Sequence, residues 1–374
     1  MDFKLPHWFY YALLLFGLSL ILAPYLFTQP WFPEYSFSLK DGAIGDTIGG
    51  ITAPFIGFFG VVLTFLAFYV QFEANKQLRK DIERDRFETK FYELLRLHKD
   101  NVNEIEIANK HFGRKAFIMM YLEFKFIYFV IDEEKIIWDT DDSRKALVKN
   151  IDIDKQLNLA YTLFFYGVSR GPVKQNQLPP HNVSTSFLTK CIKKLKEIRD
   201  KQFGSKKTNN NGDGYSILKV NDDPESYNLM VDYFPFDGYS AKLGHYFRHL
   251  YQLLKFVVLT TFDRDIKKDK QVKYSYIKTV RAQLSNHEQT MIYYNSFFSA
   301  GQIWWGDDKI VERNEDGTLI SYFLDWAIVK NTPDHLADIG ITPSEKFIEK
   351  MNNRNYSEEK IIKDLAWLLE SEEG

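Results

Sequence analysis

Two long stretches without a charged residue near the N-terminus constrain this chain more than any other feature. Residues 8–27 and residues 47–72 contain no Asp, Glu, Lys or Arg. A helix of about 20 apolar residues crosses the hydrocarbon core of a bilayer. Because backbone amides within lipid must bond internally, such segments form helices. The sequence therefore predicts a transmembrane hairpin with spans at 8–27 and 47–72.

Each stretch has an alternative interpretation. The first could be a cleaved signal peptide, but it is too long for one and a second apolar stretch follows it closely. The second could be a buried helix of a large core, although its length and lack of charge favour a membrane span. We therefore interpret both stretches as retained membrane helices.

The charges that flank the spans predict an orientation. The loop between the spans is weakly acidic, whereas basic residues follow the second span: Lys76, Arg79, Lys80, Arg84 and Arg86. Basic residues near the end of a span remain in the cytoplasm. We expect both termini on the cytoplasmic side of the membrane, with the lipid bilayer as a partner.

The second span is rich in small residues. Small side chains at helical spacing let two helices approach closely. This pattern predicts either a face for self-association into a homo-oligomer or a kinked pore-lining helix, while packing against the first span is the simpler alternative. The residues of this helix-packing face are Gly45, Gly49, Gly50, Ala53, Pro54, Gly57 and Gly60.

The remainder of the chain predicts a mainly α protein, a helical cytoplasmic body with few short strands. We expect the hairpin in residues 1–75, a helical stalk and body in 76–203, a linker and irregular segment in 204–240, and a C-terminal helical region in 241–374. Apolar periodicity predicts helices over 114–129, 143–166, 184–203, 241–263, 273–299 and 358–369. Short strands are expected around Ile310 and Leu319, and helices 241–263 and 273–299 should pack antiparallel because their connector is short.

Composition excludes several classes of protein. The net charge of −2 gives no overall signature of nucleic-acid binding, and the single Cys191 rules out a disulfide framework. No phosphate-binding loop, HExxH motif or nucleophile elbow is present, so we expect no cofactor and no metal. His245 and His249 lie one helical turn apart but lack the acidic partner of a metal motif. These observations favour a protein that is not an enzyme.

One segment has a local excess of positive charge. It could bind phosphate groups of lipid or nucleic acid, which keeps nucleic acid open as a partner although the net charge does not indicate it. A solvated helix face is the alternative. The lysines concerned are Lys190, Lys193, Lys194 and Lys196.

Arg281 and His287 form the one pattern suggestive of catalysis. Arg can stabilise charge on a phosphorane, and His can act as general acid or base near pH 7. The R-x5-H spacing resembles that of HEPN-type ribonucleases, whose dimers cleave RNA without a metal. We include the adjacent Glu288 in this candidate catalytic set. The alternative is a polar network in which Arg281 pairs with Glu288 and Ser285 caps a turn.

Five segments, in order along the chain, form a recognisable pattern: 46–54, 63–71, 86–98 with its Arg86, Phe91 and His98, 244–251 with its His245 and His249, and 281–295 with its Ser285 and Glu288. They run from about residue 45 to about residue 300. Together these segments resemble the putative phage abortive infection protein family, often called AbiC-like. The resemblance implies two membrane helices, a helical cytoplasmic body found in bacteria and a role in stopping phage multiplication, but no defined chemistry.

These observations lead to three hypotheses. The first is an inner-membrane antiphage protein that acts by abortive infection, in which the cytoplasmic body controls a segment that perturbs the membrane. The second is a membrane-tethered HEPN-like ribonuclease that uses Arg281 and His287. The third is a non-enzymatic adaptor that holds other components of a defence system at the membrane.

Overall fold

The computed structural model describes residues 43–168, 183–203, 215–306, 320–330, 332, 336–354 and 356–369, and a few positions between 11 and 22. The chain divides into two compact units, Met1–Phe87 and Glu88–Gly374. The described positions between 11 and 22 are helical. The fold is mainly helical with few short strands, as predicted.

A single long helix, α1, comprises Ala43–Glu104 and includes Pro54. Its apolar half exposes large side chains: Phe55, Ile56, Phe58, Val61, Leu63, Phe65, Phe68, Tyr69 and Phe72. Among the described residues, one helix, Thr52–Glu104, is long and apolar enough to cross a membrane. The structure thus supports one such helix and not the two-helix hairpin. The first predicted span, residues 8–27, falls largely outside the described residues.

The second unit is a bundle of helices with two small sheets. After α1 the helices are α2 (Arg114–Thr140), α3 (Lys145–Val148), α4 (Ile153–Tyr166), α5 (Thr185–Phe203), α6 (Ser240–Leu259), α7 (Ile266–Arg281), α8 (Asn286–Asn295), a 3-10 helix (Ser299–Trp304), α9 (Pro343–Asn353) and α10 (Glu358–Leu369). Strands β1 (Glu106–Ile107) and β2 (His111–Phe112) pair antiparallel. Strands β3 (Ser216–Lys219) and β4 (Asn228–Val231) also pair antiparallel, with Ser216 opposite Val231.

Two predicted helices are each divided in the structure. The helix expected over 273–299 is α7 and α8, because the hydroxyl of Ser285 accepts from the backbone N–H of Glu288 while Glu288 returns a bond, which starts a new helix. The helix expected over 143–166 is α3 and α4, since Asp152 caps the first turn of α4. The strands expected around Ile310 and Leu319 lie outside the described residues.

Helix α2 is the centre of the core. Its fully buried side chains include Phe117, Met120 and Phe124. The Phe124 ring lies 5.8 Å from the ring of Tyr161 on α4 and 4.9 Å from that of Tyr294 on α8, measured between centroids. Aromatic pairs at such distances add to the free energy gained from burial. This packing fixes α8 against α2 and thereby positions the polar groups described next.

Candidate functional site

A buried polar cluster joins α6 and α8. The hydroxyl of Tyr246 donates to Oε1 of Glu288 at 3.3 Å, and the two residues are 0% and 1% exposed. Oε2 of Glu288 accepts from the hydroxyl and backbone N–H of Ser285 at 2.6 and 2.8 Å. Because a buried carboxylate is costly without partners, these bonds and the charge described below stabilise it. We call this group, with His98 and Arg114, the Tyr246–Glu288 cluster.

Arg114 connects the cluster to the protein surface. Its Nε lies 3.6 Å from Oε2 of Glu288, and its side chain is 59% exposed. Its terminal nitrogen also donates to the backbone carbonyl of Gln283 at 2.6 Å. The first residue of α2 therefore fastens the turn between α7 and α8 and supplies a positive charge beside Glu288.

His98 is the least satisfied group of the cluster. Its ring lies 5.0 Å from that of Tyr246, and the side chain is 1% exposed. Neither ring nitrogen has a hydrogen-bond partner within the described part of the chain. Burial, with a smaller contribution from His249, lowers the pKa of His98 to about 4. The imidazole is therefore neutral at physiological pH.

The two histidines of α6 lie against each other. The rings of His245 and His249 are 5.0 Å apart and nearly perpendicular. Burial and the neighbouring His245 lower the pKa of His249. The described residues contain no group of three or more His, Cys, Asp or Glu side chains that could hold a metal ion.

The structure gives Arg281 and His287 different surroundings. Arg281 is 6% exposed, and its guanidinium donates to the carbonyl of Ala327 at 2.8 Å and lies 3.4 Å from the hydroxyl of Tyr274. Ala327 has a φ of 47°, so this bond supports a strained turn. The half-buried ring of His287 lies edge-on to Tyr121 at 6.1 Å, and burial lowers its pKa. Catalysis by Arg281, His287 and Glu288 remains a prediction.

The four lysines of α5 do not form a uniform basic face. Lys190 and Lys194 each place Nζ 3.9 Å from the carboxylate of Glu134, which is 2% exposed. Lys193 is 73% exposed and lies 3.6 Å from Glu197, while Lys196 is partly buried. Two of the lysines thus compensate a buried carboxylate, and phosphate binding by the set remains a prediction.

The small residues of the predicted span lie in the apolar half of α1, which also contains Gly45. Ala53 and Pro54 are exposed. A Cβ atom added at Gly49, Gly50, Gly57 or Gly60 would meet nothing within 4 Å. The described residues therefore tolerate larger side chains at these glycines.

Glu123 is a further buried carboxylate, which sequence reasoning missed. It is fully buried on α2 and accepts from the hydroxyls of Tyr233 and Tyr239 at 2.8 Å and from the backbone N–H of Phe236 at 2.9 Å. Burial raises its pKa to about 7, although these bonds act in the opposite direction. Glu123 thus anchors the segment that leads into α6. The signal in the sequence was a Glu within the aromatic first half of α2, ahead of Glu133 and Glu134 near its end.

The comparisons with known proteins concern the region that contains Tyr246 and Glu288. Residues 238–312 match the model of a family described as "Putative phage abortive infection protein". This range contains α6, α7, α8 and the 3-10 helix, and therefore Tyr246 and Glu288. No curated protein and no solved structure matches the chain. The resemblance to the abortive infection family is confirmed over this region, and it suggests a protein of phage abortive infection.

Proposed function

We propose that this protein is a bacterial membrane protein that stops phage multiplication by abortive infection, and that its helical body controls a segment that perturbs the membrane. The family match over residues 238–312 supports the role in defence. The observation that carries the membrane part of the proposal is helix α1, Ala43–Glu104.

The apolar half of α1 is suited to lipid. None of the residues in its most apolar stretch is buried, and Val61 and Phe65 are 70% and 69% exposed. Burying one large apolar side chain gains about 1.5–3 kcal/mol relative to leaving it in water. A contiguous exposed apolar surface of this kind marks a membrane or protein interface. The length and lack of charge of the segment favour a bilayer.

The same helix offers a direct connection between membrane and body. It continues without interruption from the apolar segment to Glu104, and so extends into the second unit, which begins at Glu88. A helix rises about 1.5 Å per residue, and we propose that a change in the body is passed along this helix to its apolar segment. A change in the body could thereby alter the contacts of the membrane segment with neighbouring copies.

The small-residue face would supply those contacts. On a helical wheel, Gly49, Ala53 and Gly57 lie on one side, whereas Phe55 and Val62 lie on the opposite side. Close approach of two such faces allows association in lipid. We therefore propose a homo-oligomer that forms through this side of α1 and makes the inner membrane permeable.

The test is a pair of double variants in cells challenged with phage. Gly49→Leu with Gly57→Leu should leave the protein folded and membrane-bound but abolish protection, measured as plaquing efficiency. Phe55→Leu with Val62→Leu is the matched control on the opposite side and should retain protection. Equal protection by both double variants would mean that α1 is an anchor and not an association face.

A further inference from the structure

Residues 73–86 of helix α1 follow its apolar half and precede the second unit, which begins at Glu88. We call them the charged segment, because nine of the fourteen residues are Asp, Glu, Lys or Arg. Every residue from 74 to 86 is exposed, including Leu78 at 55% and Ile82 at 41%. Helices in proteins owe most of their stability to packing of an apolar face. The charged segment thus exposes apolar side chains that a partner helix would cover.

The exposed apolar side chains continue the small-residue face of the same helix. On a helical wheel, Leu78 and Ile82 fall on the side that contains Gly49 and Gly57. Steps of three or four residues connect the two groups along this side, which keeps them on one face of a nearly straight helix. Two copies that meet through the small residues in lipid therefore also face each other at Leu78 and Ile82. The connecting residues are Gly60, Thr64, Ala67, Gln71 and Asn75.

The charges beside this face are complementary to those of a second copy. Arg79 and Arg86 lie on one flank of the Leu78–Ile82 face, and Asp81 lies on the other flank. Gln77 donates to Oδ1 of Asp81 at 2.9 Å, which leaves Oδ2 to accept from another donor.

The flanking charges also select the direction of pairing. In a parallel pair each flank lies against the opposite flank of the partner, so Asp81 of one copy approaches Arg86 of the other. In an antiparallel pair each flank would meet its own like, which places carboxylate against carboxylate. Charges at such flanking positions set the choice and orientation of the partner helix.

Asn75 supplies a polar group within the face. A single Asn among the apolar contacts of two parallel helices fixes their register, because its amide is satisfied only opposite the amide of the partner. Asn75 lies one helical turn before Leu78, at the start of the charged segment. An in-register arrangement places each of these residues opposite its own counterpart.

We propose that the charged segment of α1 binds the charged segment of a second copy of this chain, in parallel and in register. Leu78 and Ile82 contact their counterparts, and Asp81 of each copy pairs with Arg86 of the other. The inference rests on the proposed function, in which copies inserted in one membrane associate through the same side of α1. It adds a contact surface outside the lipid, next to the body.

The test is disulfide cross-linking of the full chain in membranes from uninfected and from infected cells. Leu78→Cys places a thiol on the proposed contact face, and a disulfide requires two Cβ atoms within about 4.5 Å. Lys80→Cys, exposed and on the opposite side of the helix, is the matched control. The native Cys191 is buried, and the unaltered protein controls for it. Mild oxidation and a non-reducing gel measure the dimer fraction.

A charge exchange in the Leu78→Cys protein tests the direction of pairing. Asp81→Arg sets Arg against Arg and should lower the dimer fraction. Asp81→Arg together with Arg86→Asp restores opposite charges between parallel copies and should restore the dimer. Equal amounts of each variant in the membrane fraction show that insertion is unaffected.

We expect at least about fivefold more dimer from Leu78→Cys than from Lys80→Cys, since only the first site brings two Cβ atoms together. No dimer from Leu78→Cys in either set of membranes would overturn the proposal. So would equal dimer from both sites, or failure of Arg86→Asp to restore the dimer. The proposed function is decided separately: if Leu78→Cys cross-links but Gly49→Leu with Gly57→Leu still protects cells, this inference stands and the association face in lipid is refuted.

Discussion

Replacing Glu123 by Gln should change how the stability of the protein depends on pH. The pKa of Glu123 rises from its ordinary value of 4.5 to about 7 because the carboxyl group is buried. The folded state therefore holds a proton that the unfolded state has lost between these two values. The contribution of Glu123 to the free energy of unfolding is therefore fully present below pH 4.5 and is lost as pH rises through 7.

The size of the effect follows from the two pKa values. The difference of about 2.5 corresponds to about 3 kcal/mol at 1.36 kcal/mol per pKa unit. Gln cannot ionise, so Glu123→Gln should remove this loss. The free energy of unfolding of the variant minus that of the wild type should then rise by about 3 kcal/mol from pH 4.5 to pH 8.

The assay is denaturant unfolding of the full chain in detergent at a series of pH values, followed by tryptophan fluorescence. Taking the difference between variant and wild type at each pH cancels the titration of all other groups. Thr140→Ala, at an exposed position of the same helix α2 that carries no ionisable group, is the control and should give a flat difference. A flat difference for Glu123→Gln as well would refute the account of this carboxyl group.

Three further substitutions test the assigned roles of buried and half-buried side chains. His98→Phe should stabilise the protein by about 1–3 kcal/mol at pH 7, because it removes a buried polar group without a partner. This gain in stability should grow as pH falls from 6.5 towards 4. In that range the lowered pKa of His98 makes the wild type lose stability, whereas Phe cannot take up a proton. The same unfolding assay would contradict the assigned role of His98 if the variant were no more stable than the wild type, or if its gain in stability did not grow in acid. Arg281→Lys should destabilise the fold by about 1–3 kcal/mol, because the bond to the strained Ala327 needs the guanidinium, and an unchanged unfolding midpoint would contradict that structural role. Cells with His287→Ala should retain phage resistance, measured by plaquing. Loss of resistance with a folded His287→Ala protein would instead favour the ribonuclease hypothesis.

The sequence alone was sufficient to predict the helices that have a strong local pattern. The apolar run that starts at Thr47 and the helical stalk expected from residue 76 predicted the course of α1, and α5 begins at Thr185, one residue from its predicted start. The division between α7 and α8 was missed, although Ser285 and Glu288 form a capping-box pattern. The apolar positions continue at helical spacing across this break, and periodicity alone does not register a cap.

The candidate site depended on contacts that no local pattern contains. Tyr246 and Glu288 are separated by 42 positions, and His98 belongs to another helix. Their segments were recognised through the family resemblance, but only packing against α2 brings them together. Arg281 had the spacing of a catalytic residue, yet its guanidinium is used on the backbone of Ala327. Spacing predicts which residues share a helix face, and does not predict which face another segment covers.

The membrane potential of infected cells tests the proposed function most directly. Cells that carry the gene would be loaded with a voltage-sensitive dye and infected, with Gly49→Leu/Gly57→Leu and Phe55→Leu/Val62→Leu cells measured in parallel. The account predicts that the wild type and the Phe55/Val62 variant lose their potential before phage are released, whereas the Gly49/Gly57 variant keeps it and yields phage. An intact potential in cells that are nevertheless protected would contradict the account.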